Sequence, residues 1–141
     1  MPSTIKSYAI DYDGNNKIEL KNSLLDSVAS AANYINRIGW KKDEPCFYRV
    51  KINKKINTRY INTSARNIKH RFKANKWKIK GLSNFDGSEI NFELKAALIL
   101  PDGKDDSPAY LVFQNYEKIL KWNRSLRFAI SVCTLANKIK I

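Results

Sequence analysis

Residues 23–39 carry a start signal, a helical repeat and a stop in the right order, and no other stretch restricts the fold as much. Ser23-Leu24-Leu25-Asp26 has the S-x-x-D form of a helix N-terminal capping box. Leu24, Leu25, Val28, Ala31, Ala32, Ile35 and Ile38 then recur at helical spacing, and Gly39 supplies a C-terminal stop. The pattern predicts a helix over 23–38. Ser27, Ser30, Tyr34 and Arg37 form a second, more polar stripe on it.

The rest of the chain mixes both periodicities. Cys46–Ile52 is strand-like, and Tyr60-Ile61-Asn62 reads as a short extended piece. Ser64–Lys76 has Ala65, Ile68 and Phe72 on one helical face and is expected to be a helix. Ala96–Leu100 reads as a buried strand, Pro101-Asp102-Gly103 as a turn, and Ala109–Phe113 as a second strand. Together they predict a hairpin whose loop, Lys104-Asp105-Asp106-Ser107, is acidic and exposed. Tyr116, Ile119 and Leu120 fit a short helix that breaks at Trp122-Asn123-Arg124. A last helix starts at Ser125, with an apolar arc wide enough to be packed on more than one side. With 141 residues, 43% of them hydrophobic, this is one domain's worth of sequence, too apolar for a disordered tail.

Charge is distributed unevenly. The whole chain carries +13, from 26 basic and 13 acidic residues. Residues 41–80 hold fourteen Lys/Arg against Asp43 and Glu44, a net +12. This segment is either an electrostatic footprint for a polyanion or compositional drift. Nineteen Lys, sixteen Ile and fifteen Asn all have AT-rich codons, which favours drift. No run of eighteen apolar residues exists to span a membrane, and the first residues lack the apolar core of a secretory signal. The chain as encoded is therefore expected in the cytoplasm unless it is a fragment of a longer precursor. Cys46 and Cys133 are too few for a disulfide scaffold or a zinc site and are expected to be small buried residues.

Asp11, Asp13 and Asn15 occupy positions one, three and five of an EF-hand-like D-x-[DN]-x-[DN] loop. Lys17 offers its main-chain carbonyl at position seven, and Ile18 fits the apolar position eight. Position six is Asn16, which tolerates a left-handed backbone as glycine does. Position twelve is Asn22 rather than a bidentate Glu. Asp26 is placed to supply the missing carboxylate or to close the capping box. The loop is thus either a weak calcium site or an ordinary Asx-rich turn.

No phosphate loop, dinucleotide fingerprint, zinc-protease motif or nucleophile elbow is present. His70 stands without a catalytic companion in the basic segment and is expected at the solvated surface. Glu19, Glu44, Glu89, Glu93 and Glu117 are scattered, and none sits in an apolar run that would mark a raised-pKa acid. Aromatic rings beside amides suit sugars, whose C–H faces pack on rings while hydroxyls take hydrogen bonds. Tyr34, the pair Trp122-Asn123 and Phe128 have that character. On composition alone they are equally core residues, with Asn123 or Ser125 capping the last helix.

Two blocks of the chain, MPSTIKSYAIDYDGNNKIELKNSLLDSVASAANYINRIGW and AALILPDGKDDSPAYLVFQNYEKILKWNRSLRFAISVCTLANKI, closely resemble the membrane-bound lytic murein transglycosylase B family. The Met-Pro-Ser start, the Asp-rich loop, the Ala-Asn-Tyr helix end, the L-P-D-G turn and the W-N-x-S segment agree in order and spacing. Residues 49–93 match only loosely. The resemblance implies an α+β fold, the C-terminal portion of a lysozyme-like helical core with a small β-containing insertion. Residues 1–42 would be core with the metal loop and a cleft helix, 43–113 the basic insertion, and 114–141 the closing helices.

Such enzymes cleave the β-1,4 bond between N-acetylmuramic acid and N-acetylglucosamine in peptidoglycan and leave a 1,6-anhydro ring. One Glu works as acid and then base, in place of the usual pair of carboxylates. In the family that Glu lies upstream of Met-Pro-Ser, so the resemblance implies a truncated enzyme that keeps glycan-binding parts and no catalytic residue. It assigns Tyr34, Trp122, Asn123 and Phe128 to the glycan, with Phe128 standing where a tyrosine can occur. It assigns Asp11, Asp13, Asn15, the Lys17 carbonyl and Asp26 to a weak Ca2+ site. The implied partner is a peptidoglycan glycan strand, with a separately encoded N-terminal half as a second. Family members are periplasmic or anchored to the outer membrane. The rival reading is a non-catalytic basic module on nucleic acid or acidic wall polymer, of which nucleic acid is the less favoured partner. Truncation would also leave apolar surface on Leu24, Leu25, Ile35, Leu126, Phe128 and Val132 facing water.

Overall fold

A computed structural model describes residues 2–139, without the side chains of Pro2, Thr4 and Ile5; Met1 of the Met-Pro-Ser start lies outside the described residues. Residues 1–42 and 43–141 form two compact units. In the first, helix α1 (Pro2–Tyr8) is followed by the Asx-rich loop and helix α2 (Leu24–Arg37). Ser23 caps α2 by accepting from the Asp26 N–H. The helix ends where Ile38 and Gly39 turn out of it, Gly39 at φ 104.

The predicted helix is therefore present, but its packing face is not the apolar one. Leu24, Leu25 and Val28 are exposed, whereas Asp26 and Ser30 are buried. Ser30 receives the Ile10 N–H and Asn33 donates to the Tyr8 carbonyl, so α2 holds the preceding chain by polar ties on its other face. The loop it covers has main-chain donors to satisfy, and an apolar face offers them no acceptor.

The second unit is built on a five-stranded sheet of order β2-β4-β5-β1-β3. Its strands are β1 (Phe47–Ile52), β2 (Ile61–Asn62), β3 (Leu82–Asn84), β4 (Ala97–Ile99) and β5 (Ala109–Val112). The predicted hairpin is β4–β5, antiparallel with Leu98 opposite Leu111, and Asp105 and Asp106 lie exposed in its loop. β2 joins β4 in parallel, and β3 is an edge strand that the sequence pattern did not announce.

No helix covers 64–73; the helix there, α3, is only Ala74–Ile79. Asn67 and His70 adopt left-handed backbone, at φ 56 and 63, which no right-handed helix accommodates. The Asn62 side chain bonds both main-chain groups of Lys69, and Phe72 bridges to Ala96. Those bonds hold the segment on the sheet edge, so the helical spacing of Ala65, Ile68 and Phe72 was coincidental. His70 is half-buried with its ring edge-on to Tyr60, not solvated as expected.

α4 (Gln114–Trp122) and α5 (Leu126–Ile139) close the unit. Ser125 caps α5 by accepting from the Phe128 N–H. Only one side of α5 is packed, through Leu126, Ala129 and Cys133; Leu135 and Ile139 are exposed, against the wide packing that its apolar arc suggested. Cys46 and Cys133 are buried as expected but are joined in a disulfide, with Cα atoms 6.0 Å apart. The pairing arises because residues 44–46 are tied to the start of α4. Phe113 donates to the Cys46 carbonyl, and Asn115 to that of Glu44.

The turn from α4 to α5 is braced by the buried Tyr116 hydroxyl, which donates to the Leu126 carbonyl at 2.9 Å. Burial pushes the Tyr116 phenol well above its ordinary pKa, so it remains a donor throughout the working pH range. Tyr116→Phe removes that brace while the carbonyl keeps its helical bond within α5, and is expected to cost about 0.5–1.5 kcal/mol in denaturant unfolding.

Candidate functional site

The first set of candidate residues comes together around the Asx-rich loop. Asp11, Asp13 and Asp26 each bring a carboxylate oxygen within 4.8 Å of the others. Each is shaped by main-chain donors. Asp11 accepts from Gly14 and Asn16, Asp13 from Asn15, and Asn15 from Lys17. This ladder winds the loop into a tight coil, helped by positive φ at Gly14 and at Asn16, 69° in the latter. Asn16 therefore does what was asked of position six.

Asp26 does not close the capping box. Its carboxylate turns into the loop and accepts from the N–H groups of Tyr12, Asp13 and Glu19, at 2.8, 3.3 and 3.0 Å. The Glu19 bond above all holds the Asp26 carboxyl below the ordinary carboxylate range; burial opposes this, and the Tyr12 and Asp13 bonds add to it. Ser23 contributes a bond that the sequence did not suggest, its hydroxyl donating to Asp13. Glu19 is likewise at the loop, accepting from the Asn15 side chain.

A divalent cation that prefers oxygen fits this donor set. Three carboxylates converge, the oxygens of Asp11 and Asp13 and Oδ2 of Asp26 each keep a lone pair beyond one hydrogen bond, and the coil is already wound. Asn15 and Lys17 are exposed on the same loop. The amide oxygen of Asn15 is engaged by the Lys17 N–H, a weaker ligand than a carboxylate.

The glycan candidates are divided between the two units. Tyr34 lies on α2 in the first, its ring edge-on to Tyr8 at 5.0 Å. Trp122, Asn123 and Phe128 lie at the α4–α5 corner in the second, all exposed, Trp122 at 44%. An exposed tryptophan on a braced corner beside an amide is a plausible sugar platform in chemical terms, and this core does not need it for burial. The basic residues that sequence reasoning left unassigned also gain structure. Arg71 reaches across forty-six positions to pair with Glu117, a contact that no local motif encodes.

The surroundings of three described carboxylates bear on acid–base chemistry. Asp26 is the buried one, and its bonds favour the ionised form. Glu117 is paired with Arg71, and Glu89 is exposed beside Lys78.

Because the folded pKa of Asp26 is lowered, its stabilising contribution is complete above its unfolded value of 3.8 and is lost as pH falls through the folded value. Asp26→Asn is accordingly expected to lower the melting temperature at neutral pH. The gap to wild type should close in acid below that value, as followed by thermal melts across pH 2–7. A gap independent of pH would contradict the assignment.

The transglycosylase SLT domain matches residues 1–137. Comparison with curated protein sequences gives no significant match. Among solved structures, the chain is similar to SltB3 of Pseudomonas aeruginosa in complex with NAG-anhNAM-pentapeptide, with 31% identity and a TM-score of 0.82. That match covers 97% of this chain and 36% of SltB3. Soluble lytic transglycosylase SltB1 of the same organism is 23% identical, with a TM-score of 0.77 over 99% of this chain and 44% of its own. The Escherichia coli lytic transglycosylase Slt35 in complex with calcium is also 23% identical, with a TM-score of 0.74 over 97% and 41%. The chain thus spans less than half the length of each of these structures. With its α+β architecture shared across all three, the chain belongs to the transglycosylase SLT domain family and has the fold of the lysozyme-like lytic transglycosylases.

Proposed function

We propose that this chain is the glycan-binding C-terminal part of a lytic murein transglycosylase, and that it contains no acid/base of its own. Residues 1–42 and 114–141 serve as parts of the helical core, and 43–113 as its inserted sheet. The observation that carries this reading is the Trp122-Asn123 pair, exposed at a corner that Tyr116 holds rigid, in a chain whose family domain runs over residues 1–137. SltB3, 31% identical, is seen with muropeptide fragments. Trp122 offers a flat apolar face to sugar C–H groups, Asn123 takes hydroxyls or acetamides, and Phe128 adds a second ring on the same unit; Tyr34, on the 1–42 unit, offers its own ring to the glycan. The family reaction requires a protonated carboxyl beside the scissile bond, and the described carboxylates are ionised, paired or exposed. The exposed Leu24, Leu25 and Val28 face of α2 supports a second partner, an N-terminal half that supplies that acid.

Two experiments test this. Isothermal titration of the 141-residue chain with a peptide-free NAG-NAM oligosaccharide should give binding that Trp122→Ala weakens about tenfold, equivalent to roughly 1.4 kcal/mol. Chromatography of the same mixture should show no 1,6-anhydro product. Release of that product by the pure chain would overturn the claim that it lacks an acid.

The calcium bound by Slt35 suggests the same ion for Asp11, Asp13, Asp26, Asn15 and the Lys17 carbonyl. When bound, Ca2+ would lock the coil of the loop onto the start of α2. Amides at positions five and twelve reduce the negative charge of the site, so calorimetry should return a Kd on the order of 10⁻⁶ M or weaker, abolished by Asp11→Ala. A nanomolar constant would mean that other ligands complete the site.

A further inference from the structure

In the 43–141 unit a cleft of about 660 Å3 opens between the loop 65–71 and the last turn of α4. Arg66, Arg71, Lys121 and Arg124 line it, with Glu117 its one acid and the buried Ile68 and Leu120 as apolar floor. Codon drift does not explain this gathering. Arginine codons mostly begin with CG, so an AT-rich genome inflates lysine and not arginine. The chain has seven arginines, and three of them line this one cleft.

The other arginines of the unit are engaged. Arg49 lies over the Phe85 ring at 3.8 Å, Arg59 donates to the Tyr60 hydroxyl, and Arg127 donates to Asp102 at 2.9 Å. Within the cleft Arg71 grips Glu117, its Nε 3.0 Å from Oε2, and uses that acid's charge. Among the described residues the side chains of Arg66, Lys121 and Arg124 have no ion pair and no ring contact. Three uncompensated cations therefore line one opening, where their fields add and attract anions.

The missing counter-charge has a definite chemistry. A carboxylate brings one negative charge and two acceptor oxygens, enough for a single guanidinium fork. A phosphomonoester brings about −1.5 to −2 charges at neutral pH and three strong acceptor oxygens. That matches two guanidinium forks and an ammonium at once. The volume of the cleft lies within the range of small-molecule sites, roughly 300–1,000 Å3, so the carrier of the phosphate enters with it. No aromatic side chain lines the cleft, which leaves a nucleobase no face to stack on. The Asn67 amide and the small apolar floor suit a polyhydroxy body instead.

We propose that the Arg66–Arg71–Lys121–Arg124 cleft binds the phosphate of a phosphorylated sugar or polyol. This is a second site, beyond the glycan reading above and independent of it, since Trp122 and Asn123 do not line the cleft.

The test is isothermal titration of the full chain with glucose 6-phosphate, with glucuronate, which carries a carboxylate on the same ring, and with AMP. Wild type is compared with Arg66→Gln/Arg124→Gln and with Lys54→Gln/Lys55→Gln, which removes the same charge outside the cleft. All four substituted side chains are exposed, and a circular dichroism melt checks that each fold is kept. Wild type should bind glucose 6-phosphate about tenfold tighter than glucuronate at low salt, less so as ionic strength rises, and AMP no tighter than glucose 6-phosphate. The arginine variant should lose about tenfold in affinity for glucose 6-phosphate and the lysine variant little. Absent binding of glucose 6-phosphate, or equal binding of glucuronate, would overturn the phosphate assignment. Markedly tighter binding of AMP would give the cleft to a nucleotide instead. An equal loss in the lysine variant would reduce the attraction to the diffuse charge of the basic segment. Each of these failures leaves the titration of Trp122→Ala with glycan unaffected, so the two readings fall separately.

Discussion

Ala96, Ala97, Leu98 and Ile99 have no exposed surface and Leu100 almost none, so each main-chain polar group in that stretch has to find its partner inside the protein. β4 meets this demand from several directions. β5 pairs one edge and β2 the other. Phe72 exchanges both bonds with Ala96, the buried Trp77 indole donates to the same Ala96 carbonyl at 2.8 Å, and Leu100 donates to Asn62. The basic loops 53–80 are therefore not appended to the hairpin; they supply hydrogen bonds that the hairpin cannot be buried without. The same strand pair leads through Phe113 into α4, so the position of the Trp122-Asn123 corner depends on how β4 and β5 are satisfied.

The smaller unit meets the same constraint by different means. Its loop has few apolar residues to bury, and its main-chain donors converge on one charged acceptor, Asp26, lying on a helix whose apolar face points elsewhere. A carboxylate satisfied by three N–H groups organises a loop well and makes a poor proton donor. The bonds that stabilise the unit thus also hold Asp26, its one buried carboxylate among the described residues, toward the ionised form. The function proposed above assigns binding and bond cleavage to different parts of a larger assembly.

What the sequence disclosed follows a physical pattern. The helix 24–37, the β4–β5 hairpin and the two closing helices were legible because their apolar spacing and caps are local. The break at Trp122-Asn123 was legible for the same reason, with Ser125 the cap. The segment 64–73 was misread because its conformation depends on Asn62 and Ala96, which lie outside it, and on left-handed Asn67 and His70 that periodicity ignores. The buried face of α2 was not legible because polar residues, not apolar ones, met the loop; Leu24 and Leu25 face water as the truncation reading expected, whereas Leu126 is buried. Long-range pairings such as Cys46 with Cys133 and Arg71 with Glu117 left no local trace, and with them the basic cleft stayed invisible.

The central claim is that the α4–α5 corner binds sugar. The chain has three tryptophans, Trp40, Trp77 and Trp122, whose indole N–H resonances can be assigned by substitution. Titration of a peptide-free NAG-NAM oligosaccharide into the 15N-labelled chain should shift the Trp122 indole resonance in proportion to saturation. That of Trp77, fully buried and bonded to Ala96, should stay in place. An unmoved Trp122 resonance at saturating glycan, or equal shifts at Trp77, would contradict the account.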